Sequence, residues 1–153
     1  MSGRILVLAL VALAVLAGAG VWYAQNYAYY RRVPEAAIRL TPAEGGAPEA
    51  IGTRGMRAID AASSPIRFRA CFRVPDPAAL SGRFAPAPEA TPLNAPFWFS
   101  CFDAEAIGAA LAEGRARAYL GVREIRPGVD RIVAVFDDGR GYAWQQLNGT
   151  LEN

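Results

Sequence analysis

The chain opens on an uninterrupted apolar run, ILVLALVALAVLAGAGVWYA over residues 5–24, with no charge inside it. A helix of that length spans about 30 Å, the hydrocarbon thickness of a bilayer. Residues 1–30 are therefore expected to form an N-terminal transmembrane anchor. Ala17-Gly18-Ala19 also meets the cleavage rule of a secretory signal. Retention is favoured, because the apolar run continues past that point. Trp22, Tyr23, Tyr27, Tyr29 and Tyr30 then follow like the aromatic belt that settles at headgroup depth.

After Arg31 and Arg32 the pattern changes. Residues 31–57 are rich in Pro, Gly, Ala and charge, which predicts a flexible stalk. Ile38 and Leu40 alternate with Arg39 and could add a short edge strand. Residues 58–153 carry the regular patterns. In IRFRACFRV, Ile66, Phe68, Ala70, Phe72 and Val74 fall on one face and Arg67, Arg69, Cys71 and Arg73 on the other, as in a half-buried strand. Asp76-Pro77 predicts a short helical turn over Ala78 to Leu80. The prolines at 86, 88, 92 and 96 then impose an extended surface loop.

Asp103 is placed to cap a helix of about three turns, with Glu105 in its first turn, an Ile107, Ala110 and Leu111 stripe, and Gly114 at its end. Alternation resumes in residues 115–122. Two further runs, RIVAVF and GYAWQQL, flank Asp137-Asp138-Gly139-Arg140, a hairpin signal. A two-residue turn at Asp138-Gly139 would pair Val133 with Trp144 and Val135 with Tyr142. The fold class expected is α+β: a transmembrane helix, then a small domain with a mainly antiparallel sheet of four or five strands and one main helix.

Charge adds a negative result. Sixteen basic residues, all arginine, face fourteen acidic ones with no long run of one sign, so no nucleic-acid surface is expected. Arg31, Arg32 and Arg39 lean weakly towards a cytoplasmic domain by the positive-inside count. A signal-like leader and two cysteines in a domain without histidine lean the other way, towards an inner-membrane protein with a periplasmic C-terminal domain, and we favour that orientation.

The absence of histidine removes the commonest general base and the usual zinc ligand, and neither a Ser/His/Asp nor a Cys/His site can be built. Asp60, Asp103, Glu105, Asp130, Asp137 and Asp138 lie in or near turns, but no spacing forces two of them into one cleft. No catalytic residue, metal or cofactor is expected. Cys71 and Cys101 remain. They are read first as a disulfide pinning the proline-rich loop to the sheet, with redox and metal roles left open, because a thiol enzyme would pair them as Cys-x-x-Cys.

Three blocks, AIDAASSPIRFRACF (58–72), PLNAPFWFSCFDAEAIGAAL (92–111) and DRIVAVFDDGRGYAWQQLN (130–148), sit in that order behind one apolar segment. Together they resemble a family of small single-pass membrane proteins of alphaproteobacteria of the Rhodobacter type, a domain of unknown function. The resemblance implies an envelope protein with one small domain and carries over no catalytic residue.

These readings lead to a non-enzymatic domain that is tethered to the bilayer through residues 5–24 and docks on another envelope protein. Phe97, Trp98, Phe99, Tyr142 and Trp144 are the candidate interface anchors, with core packing as the competing role for at least three of them. The alternative is a thiol- or metal-handling assembly factor for a redox enzyme. A third reading, an anion held by Arg67, Arg69 and Arg73, competes with a plainly solvated strand face.

Overall fold

A computed structural model describes residues 3–151. The chain divides after Tyr30 into two compact units. In the first, α1 (Gly3–Tyr23) continues into one π-helical stretch, Ala24–Ala28. It is long and apolar enough to cross a membrane, and none of its residues is buried by protein. At its end the Tyr27 ring packs on Trp22 and Tyr23, with centroids 5.7 and 5.8 Å apart.

The second unit is built on a six-stranded sheet. Its strands are β1 (Tyr30–Arg32), β4 (Arg54–Ala61), β5 (Arg69–Arg73), β6 (Ala116–Arg126), β7 (Val129–Phe136) and β8 (Arg140–Leu147), in the order β1-β4-β5-β8-β7-β6. The pairings from β4 to β6 are antiparallel. A separate two-stranded ribbon joins β2 (Arg39–Leu40) to β3 (Glu49–Ala50). One main helix, α2 (Ala104–Ala112), packs against β6. The class is α+β, with the sheet covered on both faces.

One face carries the main core. Ala58, Phe68, Ala70, Phe72, Tyr119, Val133, Val135 and Ala143 meet Ile38, Leu40, Leu80 and Phe84 from the segments laid over them. The strand alternation read over residues 66–74 places Phe68, Ala70, Phe72 and Val74 there. The opposite face, carrying Cys71, Tyr142 and Trp144, lies under α2 and the segment leading into it. The Asp103 carboxylate accepts the Ala106 amide and so sets where α2 begins.

Residues 31–57 are not a stalk. Ile38 and Leu40 are fully buried, and β4 is an interior strand of the sheet. The Val33 amide donates to the Ala58 carbonyl, and the Thr41 amide donates to the carbonyl of Leu120 on edge strand β6. A Pro- and Gly-rich composition signals irregular backbone. Ile38 and Leu40 find a partner surface only when the sheet exists.

The hairpin also departs by one residue. β7 and β8 are joined by a three-residue loop, Asp137–Gly139, with Gly139 at φ +86°. Trp144 therefore pairs with Ile132 and Tyr142 with Ala134. A slip of one position moves a side chain to the other face of the sheet. Both aromatics consequently sit under the α2 layer, away from Val133 and Val135.

Candidate functional site

The strongest local construction is the attachment of residues 93–102 to β5. Arg69 and Cys71 alternate with the core positions and so project from the α2 face of the sheet. Cys71 and Cys101 are joined by a disulfide with an S–S distance of 2.11 Å and a Cα–Cα distance of 6.3 Å. Both thiols of the chain are thereby used.

Arg69, expected on a solvated face, is only 5% exposed. Its Nε donates to the Leu93 carbonyl at 2.8 Å and its Nη2 to the Asn94 carbonyl at 2.9 Å. Its Nη1 donates to the carbonyls of Ile66 and Phe68 at 2.8 and 2.7 Å. The guanidinium also lies 5.7 Å from the centre of the Phe102 ring. A buried charge is tolerated when fixed dipoles surround it, and here the dipoles belong to the loop being held. The Arg67, Arg69 and Arg73 row is thus no anion cleft: Arg69 is filled by carbonyls and Arg73 is exposed.

The five aromatics take different places. Trp144 is fully buried, with its indole Nε1 donating to Gln146, and Phe99 is 8% exposed. Tyr142 is half-buried and meets the rings of Phe102 and Phe136 at 5.9 and 5.6 Å. Phe97 is 64% exposed on the loop, beside the half-buried Trp98. A recess of about 300 Å³ lies next to them, lined by Arg32, Met56, Arg57, Ile59, Trp98 and Phe99.

The candidate carboxylates are dispersed, and several have local partners. Asp103 caps α2. Asp138 accepts the Arg140 amide and guanidinium, bonds that hold its carboxyl below the usual range. Asp130 is buried and accepts the Glu124 amide and the Asn148 side chain, each at 2.8 Å. Asp137 lies 3.9 Å from Arg117. Glu105 is exposed in the first turn of α2. Among the described residues no group of three or more Cys, Asp or Glu side chains is arranged to hold a metal ion.

Two features were missed in the sequence. One is the burial of Arg69, which nothing in RFRACFR distinguishes from its neighbours. The other is Arg131, whose guanidinium stacks 3.8 Å from the Phe68 ring centre and donates to Gln145 Oε1 at 2.6 Å. Burial pushes it down to about 10, with Asp60 opposing that shift and Arg126 adding to it.

A family model described as a family of unknown function, DUF6446, matches residues 38–153. No curated protein and no solved structure matches. The match begins at Ile38, the first fully buried residue of the second unit.

Proposed function

We propose that this chain, which belongs to the DUF6446 family of unknown function, is a non-enzymatic, membrane-tethered accessory protein. In this reading the apolar helix anchors it in the cell inner membrane, and the domain stands in the periplasm. There it docks on another envelope protein through Phe97 and Trp98. An oxidising compartment suits the disulfide.

The observation that carries docking is the exposure of Phe97 on a segment held on both flanks. Arg69 fixes the carbonyls of Leu93 and Asn94, and the disulfide fixes Cys101. A large apolar ring held in one place loses little freedom on binding, which is the property of an interface anchor. The local structural work of Asp103, Asp130 and Asp138 supports the non-enzymatic part of the reading.

The test is a photo-crosslinking side chain at position 97 of the full chain in its native membrane, with Glu113, an exposed residue beyond α2, as the control position. Docking predicts a discrete adduct with another protein from position 97 and none from 113. No adduct from 97, equal adducts from both, or an adduct only with a second copy of the chain would overturn it.

A further inference from the structure

We propose that the cleft bringing together Arg31, Asp60, Ser64, Arg126, Arg131 and Gln145 is an oxyanion site that takes a phosphate-bearing ligand. The cleft encloses about 530 Å³. Its charged residues come from β1, β4, β6 and β7, so no stretch of the sequence contains it.

Arg131 is the centre of the site. Phe68 supports the flat face of its guanidinium, and Gln145 orients its edge. Gln145 is itself held by donation from its Nε2 to the Pro65 carbonyl. The Nε of Arg131 is, among the described residues, the sole buried side-chain nitrogen or oxygen without a hydrogen-bond partner. Arg69 provides the contrast: it is as immobile, but its donors end on carbonyls.

Three guanidiniums share the cleft with one carboxylate, Asp60, whose Oδ1 accepts the Ala61 amide. Among the described residues, ion pairs form elsewhere on the domain, at Glu49–Arg83, Glu113–Arg115, Asp137–Arg117 and Asp138–Arg140, and none of these engages Arg31, Arg126 or Arg131. Cations gathered around a recess without full neutralisation favour an anion. The guanidinium fork matches the oxygens of a phosphate by direct hydrogen bonds. Arg31 follows Ala28, the end of the apolar helical segment, by three residues. A phospholipid headgroup is therefore one source of that phosphate, and a soluble phosphate compound is the other. The site does not depend on the docking role of Phe97.

The test is thermal unfolding of the full chain in micelles of a phosphate-free maltoside detergent, with inorganic phosphate added against sodium chloride of equal ionic strength. In a second arm phosphatidylglycerol is mixed into the micelles and no inorganic phosphate is added. A ligand at ten times its Kd raises Tm by about 5 °C for a domain of this size. A rise with inorganic phosphate assigns a soluble ligand, and a rise only with phosphatidylglycerol assigns the headgroup. Either rise should be lost in Arg131→Gln and reduced in Arg31→Gln/Arg126→Gln. The double variant leaves the Phe68 stack in place and keeps the test open should Arg131→Gln fail to fold. No rise in either arm, or one of full size in the double variant, would overturn the site.

Discussion

The Arg69 guanidinium donates from Nε to the main-chain carbonyl of Leu93 at 2.8 Å, across 24 positions of sequence. That bond joins an interior strand to a loop whose prolines prevent it from pairing as a regular strand. Arg69→Met keeps bulk but strands the carbonyls of Leu93 and Asn94. It should cost about 3 kcal/mol in denaturant unfolding and make the 85–100 segment sensitive to protease in the native state. A loss below about 1 kcal/mol would mean that water replaces the guanidinium without penalty.

The disulfide should act with Arg69 as a second fastening. Cys71 is 7% exposed and Cys101 is half-buried, so the bond should resist mild reductant until the domain unfolds. Cys71→Ala/Cys101→Ala should lower stability by about 3 kcal/mol, as expected for closing a loop of 30 residues. Alkylation followed by mass measurement reads the thiols directly. Rapid reduction of the folded protein would favour a thiol-handling role over docking.

Gly141 faces the Phe72 ring, and a Cβ at position 141 would lie inside that ring's van der Waals envelope. Gly141→Ala should destabilise by about 2 kcal/mol. Trimming the ring in Phe72→Leu should return part of that loss, giving a coupling of about 1 kcal/mol or more in a double-mutant cycle. Additive losses would show that the strand shifts to make room.

Glu124 is the one described non-glycine residue at positive φ, +49°. Donation from the Asn148 side chain, the Gly128 amide and the Thr150 hydroxyl holds its carboxyl below the usual glutamate range. Because the folded value is the lower one, the carboxylate contributes stability above the unfolded value, and that contribution is lost as pH falls through the folded one. Glu124→Gln should therefore be less stable than the parent at neutral pH, and the gap should close below about pH 4.5. Denaturant midpoints measured across that range check the sign. A gap independent of pH would show that the three donors do not act through the charge of the carboxylate.

Local chemistry determined a good part of this protein. The apolar run over residues 5–24 fixes a helix long enough to cross a bilayer, whatever follows it. Period-two alternation in residues 66–74 separates the core face from the Cys71 face, Asp103 sets the start of α2, and Asp-Gly announces the β7–β8 turn. Each depends on neighbours within a few residues, which is the range over which periodicity and capping act.

The tertiary structure decided the rest, because its causes lie far apart along the chain. Arg67, Arg69 and Arg73 are alike as sequence, and only the loop carbonyls arriving from Leu93 and Asn94 make Arg69 a buried organiser. Residues 31–57 read as a stalk until the sheet supplies a surface for Ile38 and Leu40. The hairpin loop is three residues long, and that one extra position moves Tyr142 and Trp144 to the other face. The arginine cleft draws its charged groups from four separate strands, so its charge is invisible in a composition that balances nearly to zero.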